Sequence, residues 1–303
     1  MTILLLEQFL NGVQYGVTLF LLAAGLTLIF GIMGVINLAH GSLYMIGAYA
    51  GMYVAAETGS FWLGLPAALA AAAVTGLIVE AVVIRRLYAR DHLDQVLATF
   101  ALILMANQTI ILMFGRQPIF TRLPAGFDTS VELLPGLMYP PYRLLIIAVG
   151  LTVAAGLWLL INRTRVGMLV RAGATNRDMV RALGVDIRLL YTVVFGLGAL
   201  LAGLAGYMAG PIGAVQVGMG EQILLATFVV VVVGGVGSVK GAFVAALILG
   251  IVDTMLRAFL PTMLRQVMPP SEADQLGIGI ASMGIYLLMA VVLLIRPRGL
   301  FAT

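Results

Sequence analysis

Apolar runs of roughly 15–25 residues recur from one end of this chain to the other. Each long run matches the ~20 residues that a helix needs to cross a hydrocarbon layer of ~30 Å. Lipid offers the backbone no hydrogen-bond partner, so a spanning segment must be a helix or part of a closed barrel. The strict alternation of a barrel strand is absent. The chain therefore reads as an all-α polytopic membrane protein of eight to ten transmembrane helices interrupted by Gly-rich breaks. It is expected to form one transmembrane unit over 1–303. Composition closes off the alternatives: 62% of residues are hydrophobic and 10% charged, against ~45–50% and ~25% in soluble domains. A soluble enzyme, a secreted disulfide scaffold and a nucleic-acid binder are excluded. The net charge of +4 belongs to loops between apolar runs, and the absence of cysteine removes disulfides and thiolate metal sites.

Nine spans are expected near 8–30, 38–57, 62–84, 96–114, 143–161, 190–210, 222–236, 241–260 and 276–295, the short 222–236 segment being readable as half of a broken helix. No Lys or Arg precedes the first run, so no cleavage is expected there. Orientation follows from the basic residues of the loops. Twelve of the seventeen fall on one side, including Arg85, Arg86, Arg90, six Arg within 162–189, Lys240, Arg296 and Arg298; five, including Arg116, Arg122 and Arg143, fall on the other. This places the C-terminus and the 162–189 loop in the cytoplasm. Ten of the eleven prolines then lie outside or at outer helix ends, which stiffens the long outer loop 115–142. That loop reads equally as a docking ledge or a connector.

Small residues let membrane helices approach closely. Gly198, Ala202, Gly206 and Gly210 form a stripe at every fourth position, and Gly12/Gly16 and Gly47/Gly51 repeat it. Static packing is the simpler reading, a sliding surface the other. Two stretches interrupt the helices near the inner face. One runs from Gly31 through Asn37, His40 and Gly41 to Ser42; the other contains Gly234, Gly235, Gly237 and Ser238 before Lys240 and Gly241. Unwound backbone beside such breaks is where transporters often hold cargo, although a tight turn explains the second at least as well. That second stretch is not a phosphate loop, because Val239 precedes Lys240 and Gly241 follows it.

Glu80 lies near Arg85, and Asp253 has Arg257 four residues on; both read as ion pairs or as polar groups on a pathway. His40 is expected to brace its turn, and Asn107 and Gln108 to bond between helices. No catalytic residues, cofactor or metal ligands are expected. Within the Arg-rich loop, Asn176 is a good N-cap and Gly184 a good stop, with Met179, Val180 and Leu183 at helical spacing. So short an amphipathic helix is unstable alone. It either lodges in a partner or anchors to anionic membrane lipid through arginine.

Taken together these stretches carry a resemblance. Gly34-Val-Ile-Asn37-Leu-Ala-His40-Gly41 with Tyr44-Met-Ile-Gly47-Ala-Tyr49 resembles the N-terminal signature of LivH-type permeases of branched-chain amino-acid ABC importers. Arg165-Val-Gly167 through Arg171-Ala172, then Ala182-Leu183-Gly184-Val185, is similar to that family's ATPase-coupling loop. Val233 to Ser238 and Arg296-Pro-Arg-Gly299-Leu-Phe301 match its later blocks. The resemblance implies an inner-membrane subunit paired with a second, related permease. Two cytoplasmic ATPases would drive it, and a periplasmic binding protein would deliver Leu, Ile or Val. It implies ATPase coupling through Arg171, Asn176, Ala182, Leu183 and Gly184, and a translocation path along Asn37, His40, Gly41, Ser42 and Tyr44. Importers of urea, amides or other amino acids share these blocks. An ion-coupled secondary transporter using Asp253, Glu80 or His40 is the rival from another class, and a non-transporting membrane scaffold is a third reading.

Overall fold

The computed structural model describes residues 2–121 and 123–301, and all side chains within them except those of Arg177 and Asp178. Arg122, used in the loop charge count, lies outside that set. The elements in order are α1 (Thr2–Met33), α2 (His40–Thr58), α3 (Phe61–Val79), a π-helical turn (Glu80–Ile84), α4 (Arg85–Leu87), α5 (His92–Phe114), β1 (Val131–Leu134), β2 (Leu137–Tyr139), α6 (Pro141–Arg163), α7 (Arg165–Thr175), α8 (Arg177–Ala182), α9 (Ile187–Ala209), α10 (Met219–Gly234), α11 (Val239–Leu264) and α12 (Pro270–Ile295). All nine expected segments are helical. Seven are long and apolar enough to cross a membrane, namely α1, Phe61–Leu87, α5, α6, α9, α11 and α12. The 16-residue α10 is shorter, and polar Ser42, Tyr44, Tyr49 and Glu57 dilute the apolar character of α2.

The centre of the bundle is α1, whose apolar window is 89% buried, against 17% for α5, α6 and α12. It is hydrophobic on every side because α6, α9, α10 and α11 surround it. The small-residue stripes are the seats of these crossings. A Cβ at Gly12 would come within 2.7 Å of the Ile251 Cα, and one at Gly16 within 2.7 Å of the Ala246 carbonyl oxygen, both on α11. Gly25 sits on Gly198 of α9 in the same way. On α2, Gly47 abuts Gly203 and Tyr44 abuts Gly206, while Gly41 and Gly220 of α10 meet backbone to backbone. Lipid supplies no hydrophobic drive for helix association, so this close approach is where packing energy is found.

Around this core, polar groups pair across helices. Asn107 of α5 donates to Glu221 of α10 at 2.5 Å, as the interhelical reading of Asn107 expected. Asp253 and Arg257 form a 2.8 Å ion pair on α11. The 115–142 stretch contains a small antiparallel hairpin pairing Val131 with Tyr139 and Leu134 with Leu137, turned at Gly136 with φ +85°. A bridge from Ile119 to Val215 fastens the same stretch to the segment after α9.

Candidate functional site

The two glycine-rich interruptions differ. The first begins only after Met33, so Gly31 is still helical; Gly34 takes φ +65°, and the backbone is non-helical to Asn37 before α2 starts at His40. The second is a tight turn. Gly235 and Gly237 have φ of +97° and +83°, and Ser238 caps α11 by accepting from the Gly241 N–H at 3.0 Å. The C-terminal Arg296–Phe301 block closes over this turn. Leu300 and Phe301 N–H groups donate to the carbonyls of Val233 and Gly234 at 2.8 and 3.1 Å, and Lys240 Nζ lies 5.7 Å above the Phe301 ring. Val233 and Gly234, at the start of this turn, are thus joined to residues 300–301 by backbone bonds.

The first interruption opens onto a cavity of about 400 Å³ between α2, α3 and α5, with Phe195 of α9 contributing one wall. Asn37 and Ser42 line it; His40, Gly41 and Tyr44 do not. His40 points the other way, its Nε2 3.2 Å from the Leu22 carbonyl of α1, so it braces α2 against α1. Gly41 is taken up by the α10 crossing, and Tyr44 by α9. Asn37 is fully buried, and neither its amide oxygen nor its amide nitrogen has a hydrogen-bond partner among the described residues. The same holds for the hydroxyl of Tyr49, 1% exposed, which also lines the cavity. Each such group costs about 1–3 kcal/mol when left unbonded, so two on one cavity single it out.

One residue that holds this geometry was not anticipated. Gln95, at the start of α5, accepts from the Ile36 N–H at 3.1 Å and donates to the carbonyls of Leu87 and Arg90 at 3.3 and 3.1 Å. It thereby clamps the non-helical 34–37 stretch to the α4–α5 corner. Glu80 is likewise central. It is completely buried in the π-helical turn and bonds Arg85 at 2.8 Å, Tyr88 at 2.5 Å and Thr192 of α9 at 3.1 Å. The expected Glu80–Arg85 pair is present, but its reach to α9 was not foreseen.

At the same end of the bundle lies the Arg-rich loop. Asn176 caps α8 by accepting from the Met179 N–H at 3.0 Å, and Gly184 ends the turn at φ +83°. Val180 is buried, while Met179 and Leu183 are 58% and 75% exposed. Ala182 is the last helical residue. Arg171 stays exposed and donates to the Ile161 carbonyl near the end of α6. The loop holds a second helix, α7, capped by Thr164, which accepts from the Gly167 N–H at 3.1 Å.

Residues 8–295 match the family model described as branched-chain amino acid transport system / permease component. The chain belongs to this permease family. It is 30% identical over 97% of its length, and 95% of the relative's, to the high-affinity branched-chain amino acid transport system permease protein BraD of Pseudomonas aeruginosa. It is 27% identical to LivH of Escherichia coli K12, with 97% and 94% covered. The ribose import permease protein RbsC of the same organism is 27% identical over 77% of this chain and 72% of its own. No solved structure matches significantly. With seven helices among the described residues able to span a bilayer, this family member is a multi-pass membrane transport protein.

Proposed function

We propose that the chain is the membrane permease subunit of an ATP-driven importer of branched-chain amino acids, Leu, Ile and Val. In this reading it forms a single permease domain over 1–303 in a bacterial inner membrane. It works with a second, related permease, two cytoplasmic ATPases and a periplasmic binding protein. The observation that carries the reading is the match to the permease family across residues 8–295. The exposed apolar side chains of α8 supply the coupling element: Met179 and Leu183 project at the Arg-rich end of the bundle and would seat on an ATPase. With α8 inside the cell, the C-terminus that closes the Gly235–Gly237 turn is cytoplasmic too. Transport is alternating access, in which ATP closure of the ATPase pair moves α8 and the helices rearrange around a path beside Asn37 and Ser42. This requires nucleotide and cargo each to bind the two states unequally.

The acids that the ion-coupled rival would use are engaged in ion pairs, Asp253 with Arg257 and Glu80 with Arg85. One substitution separates the readings. Gly184 occupies a left-handed conformation that costs an L-residue about 1–2 kcal/mol, and open space surrounds it. Gly184→Val therefore displaces the end of α8 without a clash. In proteoliposomes holding the complete importer, ATP-driven leucine uptake is expected to fall severalfold while ATP hydrolysis continues. Uptake and hydrolysis that both match the wild type would remove α8 from the coupling path.

A further inference from the structure

The cavity beside Asn37 has a chemistry of its own. Its walls are aliphatic or thioether side chains such as Leu43, Ile46, Leu102, Met105 and Met113, and no lining residue carries a charge. Its hydrogen-bonding capacity is concentrated at two ends. Asn37 stands at the end nearer α8, and Tyr49 lies nine residues beyond the start of α2, or about 14 Å along the helix at 1.5 Å per residue. Both are fully buried, and both have polar atoms without a partner among the described residues. Between them only hydroxyls at Ser42, Thr75 and Thr109 interrupt the apolar wall.

We propose that this slot binds a small, net-neutral aliphatic solute whose polar head is held by Asn37 at one end or by Tyr49 at the other, with its side chain in the apolar middle. The assignment deepens the importer reading and rests on it. An uncharged amide or phenol can donate to the carboxylate and accept from the ammonium of a zwitterion, whereas a solute with net charge would need a counter-charge that the walls lack. Specificity follows from the same inventory. A sugar carries hydroxyls all round, and most of these would lie unbonded against Leu, Ile and Met, so the slot rejects it. A branched aliphatic side chain meets no such penalty. Because Asn37 precedes α2 and Tyr49 lies about 14 Å along it from its first residue, the head occupies them in turn rather than together, which makes Asn37 and Tyr49 successive stations.

The test uses the complete importer reconstituted with its partner subunits. Asn37→Leu and Tyr49→Phe are each expected to lower leucine uptake at least tenfold, with recovery of the assembled complex as the control for folding. The chain has no cysteine, so Ala106→Cys on the cavity wall gives a second readout in a single-cysteine protein. Leucine is expected to slow alkylation of that site by a membrane-permeant maleimide, and ribose to leave it unchanged. If the wild-type complex takes up leucine while both polar variants retain full uptake, or leucine gives no protection, the slot is not the binding site and the importer reading stands. If the wild-type complex takes up no branched-chain amino acid, the importer reading itself falls. Equal protection by ribose would overturn the specificity argument.

Discussion

Gly41→Leu is expected to leave little folded protein. Gly41 and Gly220 meet backbone to backbone where α2 crosses α10, with each carbonyl in the space a side chain would fill. Over-packing usually costs about 1–3 kcal/mol when a neighbouring side chain can rotate away. Here the obstacle is main chain on both sides, so the cost exceeds about 3 kcal/mol and falls on the first turn of α2, beside the cavity. Thermal unfolding in mild detergent is the measurement, and a midpoint within a degree or two of wild type would show that the two helices can separate freely. Gly59→Ala is the contrast. That glycine has nothing within 4 Å, so only its positive φ of 66° is strained and the loss is about 1–2 kcal/mol.

Glu80→Ala is the second large effect. Its carboxylate gathers Arg85, Tyr88 and Thr192 around the π-helical turn. Breaking a buried pair costs about 3–5 kcal/mol, and Arg85, whose side chain is 40% exposed, recovers part of that by hydration, leaving about 2–4 kcal/mol. The cost has a functional side. Val79, the residue before Glu80, and Thr75, five residues before it, line the cavity, while Thr192 lies in the second turn of α9, which follows α8 and its Gly184 stop. Glu80 therefore ties the wall of the cavity to the base of the loop. Leucine uptake in Glu80→Ala is expected to drop more than in Glu80→Gln, which keeps a hydrogen-bonding group in place. Uptake in Glu80→Ala equal to wild type would mean that Glu80 does not tie the cavity wall to the loop.

The spans were legible because a bilayer demands long apolar runs, and that demand is written residue by residue. The cap and stop of α8 were legible for a similar reason, since Asn176 and Gly184 act within one turn of chain. What went unread was either masked or remote. Helix α7 is hidden by Gly167 and Gly173, which read as breakers; in the fold Gly167 faces the Leu160 and Ile161 carbonyls, and Gly173 lies against Leu190 and Ile32. The hairpin at 131–139 did have a local signal, Pro135-Gly136 between short apolar runs. The Gln95 clamp and the Glu80–Thr192 bond join residues 59 and 112 positions apart, and no spacing rule reaches so far. The cavity is of the same kind, because four helices contribute to it and the unbonded state of Asn37 and Tyr49 exists only once they are assembled.

The central claim, a permease working within an ATP-driven importer, is tested most directly by purifying the tagged chain from its native membrane in mild detergent and identifying what comes with it by mass spectrometry. The account predicts two ATPase subunits and a second, related permease in the same particle. Recovery of this chain alone, with leucine uptake in proteoliposomes driven by an ion gradient and indifferent to ATP, would contradict it and would turn attention to Asp253.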